Sequence, residues 1–158
     1  MHRLLVVCVD ALFTTDLPDT RHLPGFSRLL ENAAVFEHVE SVYPTLTYVC
    51  HASIGSGCWP ERTGVPHNQK LDPASRNEEW YWDYSAIKVP TVFDWASEAG
   101  MTTASVGWPV SANAPVTYDI PEIWKWNAYP TVEAVYRDGC NDAGWEYASR
   151  YLDEYDVA

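Results

Sequence analysis

The chain has 158 residues, 47% hydrophobic and 14% aromatic, enough apolar material for one domain with a real core and too much for a disordered chain. Its formal net charge is −12, with seven acidic and five basic residues up to Lys70 and fifteen acidic and five basic after it. Such a chain repels nucleic acid backbones, so a nucleic acid polymer is excluded as partner, although an acidic protein can still process phosphate esters if divalent cations supply the positive charge.

No run approaches the roughly 18 apolar residues that a membrane span requires, so no membrane partner is expected. The first apolar run starts almost at Met1 and leaves no room ahead of it for a signal peptide, which makes a cytoplasmic location the expectation. Cys8, Cys50, Cys58 and Cys140 form no Cys-x-x-Cys pair and read as reduced thiols, with Cys8 acting as a small hydrophobe inside a strand.

In chain order, Leu4 to Val9 is a continuous apolar run of the kind found in a buried parallel strand, and it delivers Asp10 at its C-terminal end. Ligands of open α/β sheets bind at that edge. Phe13 to His22 reads as a loop, Leu23 to Ala33 as a short amphipathic helix, and Ala34 to Val42 as a second strand with alternating apolar and polar residues. Next comes Tyr43 to Asn68. Thr47 follows a Pro-Thr turn and heads a predicted helix, Tyr48 to Ser56, ended by Gly57. A helix N-terminus has unpaired N–H groups and a positive dipole end that stabilise an alkoxide or a phosphate oxygen. The plainer reading of the same residue is an N-cap, for which threonine is favoured. Asn68 closes the segment with an amide able to donate to a phosphoryl oxygen.

Lys70 to Lys88 is polar and irregular and holds Trp80, Tyr81, Trp82 and Tyr84. Thr91 is a plausible N-cap for a helix from Val92 to Ala99 with Gly100 at C′, and Met101 to Val106 is a short strand. Trp108 to Pro130 lacks sustained periodicity and reads as a long excursion, whose Trp124 and Trp126 either staple it to the body or stack on a base. Asp142 to Tyr155 is a helix behind an Asp N-cap, with Trp145, Ala148, Leu152 and Tyr155 on one face. The order of elements is that of an α/β fold.

Asp10 after a strand, Pro44-Thr45-Leu46-Thr47, and then His51, Gly57, Pro60, Glu61, Gly64 and Asn68 together resemble the type I phosphodiesterase/nucleotide pyrophosphatase family of the alkaline phosphatase superfamily. The likeness continues more loosely through Pro90 to Trp95, Gly107-Trp108-Pro109 and Ile120 to Trp124. It implies an alkaline-phosphatase-like three-layer α/β/α fold with a mostly parallel central sheet. Residues 1–158 would form the N-terminal portion of one catalytic domain, with irregular aromatic-rich loops at 70–90 and 108–130. It further implies two divalent metal ions, zinc with manganese as the alternative, of which Asp10 and Thr47 bind one. Thr47 would be the nucleophile that forms a phosphothreonine, and Asn68 would stabilise the phosphoryl oxygens.

Val49-Cys50 stands where the family usually has Pro-Asn, and Ser56 where it has Thr, which leaves the subgroup and the small-molecule phosphate ester open. The family's remaining metal ligands, an Asp-x-x-x-His pair, an Asp-His pair and one more histidine, are expected beyond this chain, since no histidine follows His67. The fragment alone would then be inactive, and prone to self-association through an exposed apolar edge. His51 is either a site residue or a buried hydrogen-bonding support.

Several alternatives remain within the superfamily: phosphomonoesterase, phosphonate hydrolase or sulfatase. Cys58-Trp59-Pro60-Glu61-Arg62 fits the sulfatase pattern, but Cys58 follows the Ser56-Gly57 pair, and it is Thr47 that stands at the nucleophile's spacing before it. From another class comes a non-catalytic, degenerate binding module. A dehalogenase-type site fails at Leu12, and a dinucleotide site fails for want of glycine after Asp10.

Overall fold

A computed structural model describes residues 3–36, 38–71, 79–123 and 131–151. They form two compact units, Met1–Glu40 and Ser41–Ala158.

In the first unit a 3-10 turn, Thr14–Asp16, leads into helix α1 (Leu17–Thr20), and helix α2 follows (Pro24–Leu30). Both helices carry proline in the first turn, where its missing N–H costs nothing and its fixed φ suits the helix. The helix predicted over 23–33 is thus found, ending at Leu30. The strands predicted at Leu4–Val9 and Ala34–Val42 are not: neither segment joins a ladder among the described residues. Leu4 and Leu5 are both 84% exposed, and Cys8 is exposed too. An apolar run states what a segment would bury, whereas a parallel strand exists only beside neighbours that accept its hydrogen bonds.

The second unit begins with helix α3 (Thr47–Ser56), followed after Gly57 by helix α4 (Pro60–Thr63). Gly57 ends α3 at φ 66, a left-handed conformation that glycine adopts without a Cβ penalty, and its N–H bonds the Ser53 carbonyl at 2.8 Å. Strands β1 (Gln69–Lys70) and β2 (Glu79–Trp80) pair antiparallel, Gln69 opposite Trp80 and Lys70 opposite Glu79. Part of the stretch expected to be irregular over 70–90 is therefore a hairpin. A two-residue strand is too short to show a period.

Helix α5 (Val92–Glu98) starts as predicted at Thr91, whose hydroxyl accepts from Phe93 N at 3.1 Å while Asp94 accepts from Thr91 N at 2.7 Å, a reciprocal capping box. The Tyr84 hydroxyl also donates to Asp94. Strand β3 (Ala104–Val106) runs parallel to β4 (Tyr118–Ile120), with Ser105 beside Asp119. Strand β4 thus lies inside the stretch 108–130 expected to be an excursion; Trp124 and Trp126 lie outside the described residues. Its centre is a buried aspartate, a residue depleted in strands, which hides it from pattern reading.

Helix α6 (Val132–Gly139) is capped by the Thr131 hydroxyl, which accepts from Ala134 N. Helix α7 (Asp142–Ala148) is capped by Asn141, not by Asp142 as the sequence suggested. Asn141 serves two elements at once. Its Oδ1 accepts from Gly144 N at 2.8 Å and Asp119 N at 3.1 Å, and its Nδ2 donates to the Val116 and Thr117 carbonyls, both at 3.2 Å. A carboxylate has no donor for those carbonyls, so the amide wins the position. Gly144 lets α7 settle on β4, since a Cβ there would stand 2.2 Å from the Asp119 carbonyl oxygen. Leu152 and Tyr155 lie outside the described residues.

The core gathers on α3: Tyr48 and Ala52 pack with Val65, Trp82 and Val110, and Trp80 and Ile123 lie against them. The Tyr48 ring meets Trp80 and Trp82 edge-on at 5.3 and 5.9 Å. Each such aromatic pair adds about 0.5–1.5 kcal/mol beyond its buried area. Burial and the neighbouring Glu122 carboxylate push the Tyr48 phenol above its ordinary pKa, so it stays neutral.

Asp119 is 1% exposed; Oδ1 accepts from Ser111 Oγ at 3.4 Å and Oδ2 has no hydrogen-bond partner. Burial raises its pKa from 3.8 to about 7, against the opposing pull of Ser111 and the Asn113 and Ala114 N–H groups. The folded protein therefore holds this proton between about pH 4 and 7 when the unfolded chain has released it, and that share of stability is present at low pH and lost as pH rises through 7. Urea unfolding at pH 4, 5.5, 7 and 8 tests this: relative to wild type, Asp119→Asn should gain stability steadily from about pH 4 to 7 and level off above. A difference that does not change with pH would refute the shift.

Candidate active site

Thr47 is the first residue of α3, and the cap position belongs to Leu46, in extended geometry with φ −123 and ψ 148. Leu46 has no capping side chain to offer, and the Thr47 hydroxyl makes no hydrogen bond to a described residue. The N-cap reading of Thr47 is thereby corrected. The chain reaches Thr47 through a turn in which Leu46 N donates to the Pro44 carbonyl at 3.0 Å and Thr45 Oγ1 to the Val42 carbonyl at 2.9 Å.

The first-turn donors of α3 are shared out unevenly. Cys50 N donates to the Leu46 carbonyl at 2.8 Å, the first intrahelical bond. Tyr48 N donates to Oδ1 of Asn68 at 3.0 Å, so a residue 20 positions away supplies the cap that Leu46 cannot. The N–H groups of Thr47 and Val49 have no such partner among the described residues; Val49 is fully buried, so the Thr47 N–H is the one left open at the positive end of the helix dipole.

Asn68 is fixed from two sides. Its own carbonyl accepts from Tyr81 N at 3.0 Å, which ties it to the β1–β2 hairpin. Its side chain cannot be turned over, because an N–H needs an acceptor and only Oδ1 is one. Nδ2 and its two hydrogens are then left beside the start of α3. Lys70 follows on β1, paired with Glu79 at 3.3 Å on the exposed side of the hairpin.

His51, one turn after Thr47, is 9% exposed, and its Nδ1 lies 2.7 Å from the Thr47 carbonyl oxygen. Its ring meets Trp108 edge-on at 4.8 Å. A link from Trp108 to the helix start is a contact that no sequence spacing announces; the only hint is a histidine one turn after the threonine.

Thr47 and Asn68 are thus brought together, with His51 behind them. Asp10 belongs to the first unit, where it is exposed on a turn with Ala11, which has φ 55. Among the described residues no group of three or more His, Cys, Asp or Glu side chains could hold a metal ion. The Asp10 carboxylate and the Thr47 hydroxyl are oxygen donors suited to a divalent cation, but two donors fall short of the three or four protein ligands that zinc takes. These residues do not by themselves make a metal site.

Comparison with known proteins decides what kind of chain carries this helix start. The model of the type I phosphodiesterase/nucleotide pyrophosphatase family matches residues 4–155. The chain belongs to this family. Human ectonucleotide pyrophosphatase/phosphodiesterase family member 1 is 28% identical in an alignment of 114 positions that covers 65% of this chain and 12% of the human protein. The solved structure of murine ectonucleotide pyrophosphatase/phosphodiesterase 5 aligns with a TM-score of 0.53 at 21% identity, over 66% of this chain and 30% of the murine one. An inactive threonine-to-alanine form of that murine protein, in complex with AMP, aligns with a TM-score of 0.53 at 20% identity and covers 66% and 29%. The chain spans less than a third of the length of each relative. The alkaline-phosphatase-like α/β fold expected of the family holds, and the β3–β4 pair supplies a piece of its parallel sheet.

Within the family's fold the Asn68 cap is the contact most open to test. Asn68→Ala should lower stability by about 1 kcal/mol, as loss of a cap does, whereas Asn68→Asp keeps an acceptor for Tyr48 N–H and adds a favourable charge at the dipole. Urea unfolding of both variants checks this, and equal destabilisation by Ala and Asp would sink the assignment.

Proposed function

We propose that this chain carries the nucleophile segment of a metal-dependent phosphodiesterase or nucleotide pyrophosphatase that acts on small phosphate esters of the nucleotide type. The observation that carries the reading is the hydrogen bond from Tyr48 N to Asn68 Oδ1 at 3.0 Å, which holds Asn68 at the first turn of the helix that Thr47 begins. Family membership supports hydrolysis of this class, and the murine relative's complex with AMP supports a nucleotide as the ligand type.

In this reading the Thr47 oxygen gives its proton to water and attacks phosphorus opposite the leaving oxygen, while the bond from phosphorus to the leaving group breaks and the leaving oxygen takes a proton from water. The N–H group of Thr47 and the amide of Asn68 donate to the phosphoryl oxygens as charge grows on them, which is stabilisation that costs no reorganisation at the moment of reaction. Water then displaces Thr47 from the phosphothreonine and restores the hydroxyl. Divalent metal ions would supply Lewis-acid stabilisation of the phosphoryl oxygens. The tightly packed underside of α3, Tyr48 against Trp80 and Trp82, holds the helix start still during this exchange. A reducing, cytoplasmic setting goes with the reading, in which Cys8, Cys50, Cys58 and Cys140 are free thiols.

The test is hydrolysis of bis-(4-nitrophenyl) phosphate and of 4-nitrophenyl phosphate by the full-length protein supplied with zinc or manganese. Wild type should favour the diester and lose turnover in EDTA. Thr47→Ala should lower kcat by about a thousandfold or more, as removal of a nucleophile does. Asn68→Asp should lower it by about a hundredfold, since it replaces a donor to the phosphoryl group with a repelling carboxylate. Turnover that survives Thr47→Ala would refute the nucleophile.

A further inference from the structure

The peptide unit between Thr47 and Tyr48 is gripped at both of its polar atoms by side chains. Its N–H, on Tyr48, donates to Asn68 Oδ1 at 3.0 Å; its C=O, on Thr47, lies 2.7 Å from His51 Nδ1. A carbonyl oxygen only accepts, so Nδ1 must carry a hydrogen and donate it. The helix pattern already gives that carbonyl the His51 backbone N–H, so one residue fills both of its lone pairs.

The ring that makes this contact is itself held. Trp108 stands edge-on to it at 4.8 Å and 83°, and Phe93 stands edge-on to Trp108 at 6.4 Å and 88°. Trp108 sits on a turn between Gly107, with φ 60, and Val110, with φ 58. A β-branched residue in that region is a true backbone outlier, and such outliers persist only where surrounding structure over-determines them. Val110 is 1% exposed and packs in the same cluster as Tyr48 and Ala52 of α3. The strained turn is thus locked to the helix whose first peptide unit His51 grips.

We propose that His51 is a positioning residue for Thr47, acting through its Nδ1–H on the Thr47 carbonyl, with Trp108 fixing the ring. The proposal rests on the reading of Thr47 as nucleophile. A peptide plane held at both ends fixes ψ of Thr47, and the hydroxyl of that residue inherits the order. In the ground state and the transition state alike His51 touches no substrate, so its loss disturbs aim and not binding.

Two substitutions separate the hydrogen bond from the packing. His51→Phe keeps a ring against Trp108 and removes the donor, while His51→Asn places an amide N–H where Nδ1 stands and removes the ring. In the full-length, metal-loaded protein, His51→Phe should lower kcat for the diester about ten- to a hundredfold with KM within about twofold, the scale of a misplaced reacting group. His51→Asn should recover most of that loss. The reverse order, Asn impaired and Phe like wild type, would overturn the proposal in favour of simple packing. Two readouts need no turnover: nitrogen-detected NMR of the histidines should show His51 as Nδ1–H, and His51→Phe should speed amide exchange at Tyr48 about tenfold. An Nε2–H ring, or unchanged exchange, overturns it. Thr47→Ala run alongside separates the two levels: if that variant stays active the nucleophile reading has failed, and if it is dead while His51→Phe is unimpaired the positioning role alone has failed.

Discussion

One hydrogen bond across 20 residues of sequence, from Tyr48 N to Asn68 Oδ1, ties the start of α3 to the hairpin beside it. A helix beginning at an apolar Leu46 is left with donors that nothing local satisfies. Had Thr47 been the cap, its hydroxyl would have been spent on the backbone. Because Asn68 takes the capping duty from the far side, the Thr47 hydroxyl bonds no described residue and the Asn68 amide stands beside the same helix start. Economy of this kind needs Asn68 to be held accurately, and the β1–β2 hairpin does so through Tyr81 N on its carbonyl.

The packing around Tyr48 follows from the same requirement. Its backbone joins the Asn68 bond, its ring meets Trp80 and Trp82, and its phenol faces Glu122. One residue therefore couples the helix start to the hairpin and to the segment after β4. Aromatic rings suit this task because a large rigid surface is ordered at little cost in rotamer entropy. The tryptophans of the hairpin, irregular in the sequence pattern, are part of the floor under the candidate nucleophile.

Much of this was legible in the amino-acid sequence, and the limits are physical. Local signals carried: the α3 helix with Gly57 at its end, the Thr91 cap of α5, and the strand ending at Val106 stand close to where periodicity and capping chemistry put them. Non-local satisfaction did not. That Asn141 and not Asp142 caps α7 depends on the Val116 and Thr117 carbonyls, which need a donor and lie far away in sequence. That Leu46 and not Thr47 is the cap depends on Asn68. The apolar run Leu4–Val9 forms no strand because hydrophobicity specifies burial but cannot supply the neighbour that a ladder requires. The motif put Thr47 and Asn68 in one segment, while their proximity through a borrowed cap is visible only in three dimensions.

Buried polar groups show where this unit trades stability for order. Asp119 and Ser105 each bury an oxygen without a hydrogen-bond partner among the described residues, a cost of about 1–3 kcal/mol per group in a protein interior. They are register partners on the parallel pair β3–β4, and Asp119 is also where Asn141 and Gly144 lock α7 down. An apolar core would be more stable at these points, but it would not specify one arrangement so narrowly. Where a hydroxyl must be aimed to within a fraction of an ångström, a helix packed on specific polar contacts and a strained Trp108 turn serves better than one free to slide on a greasy face.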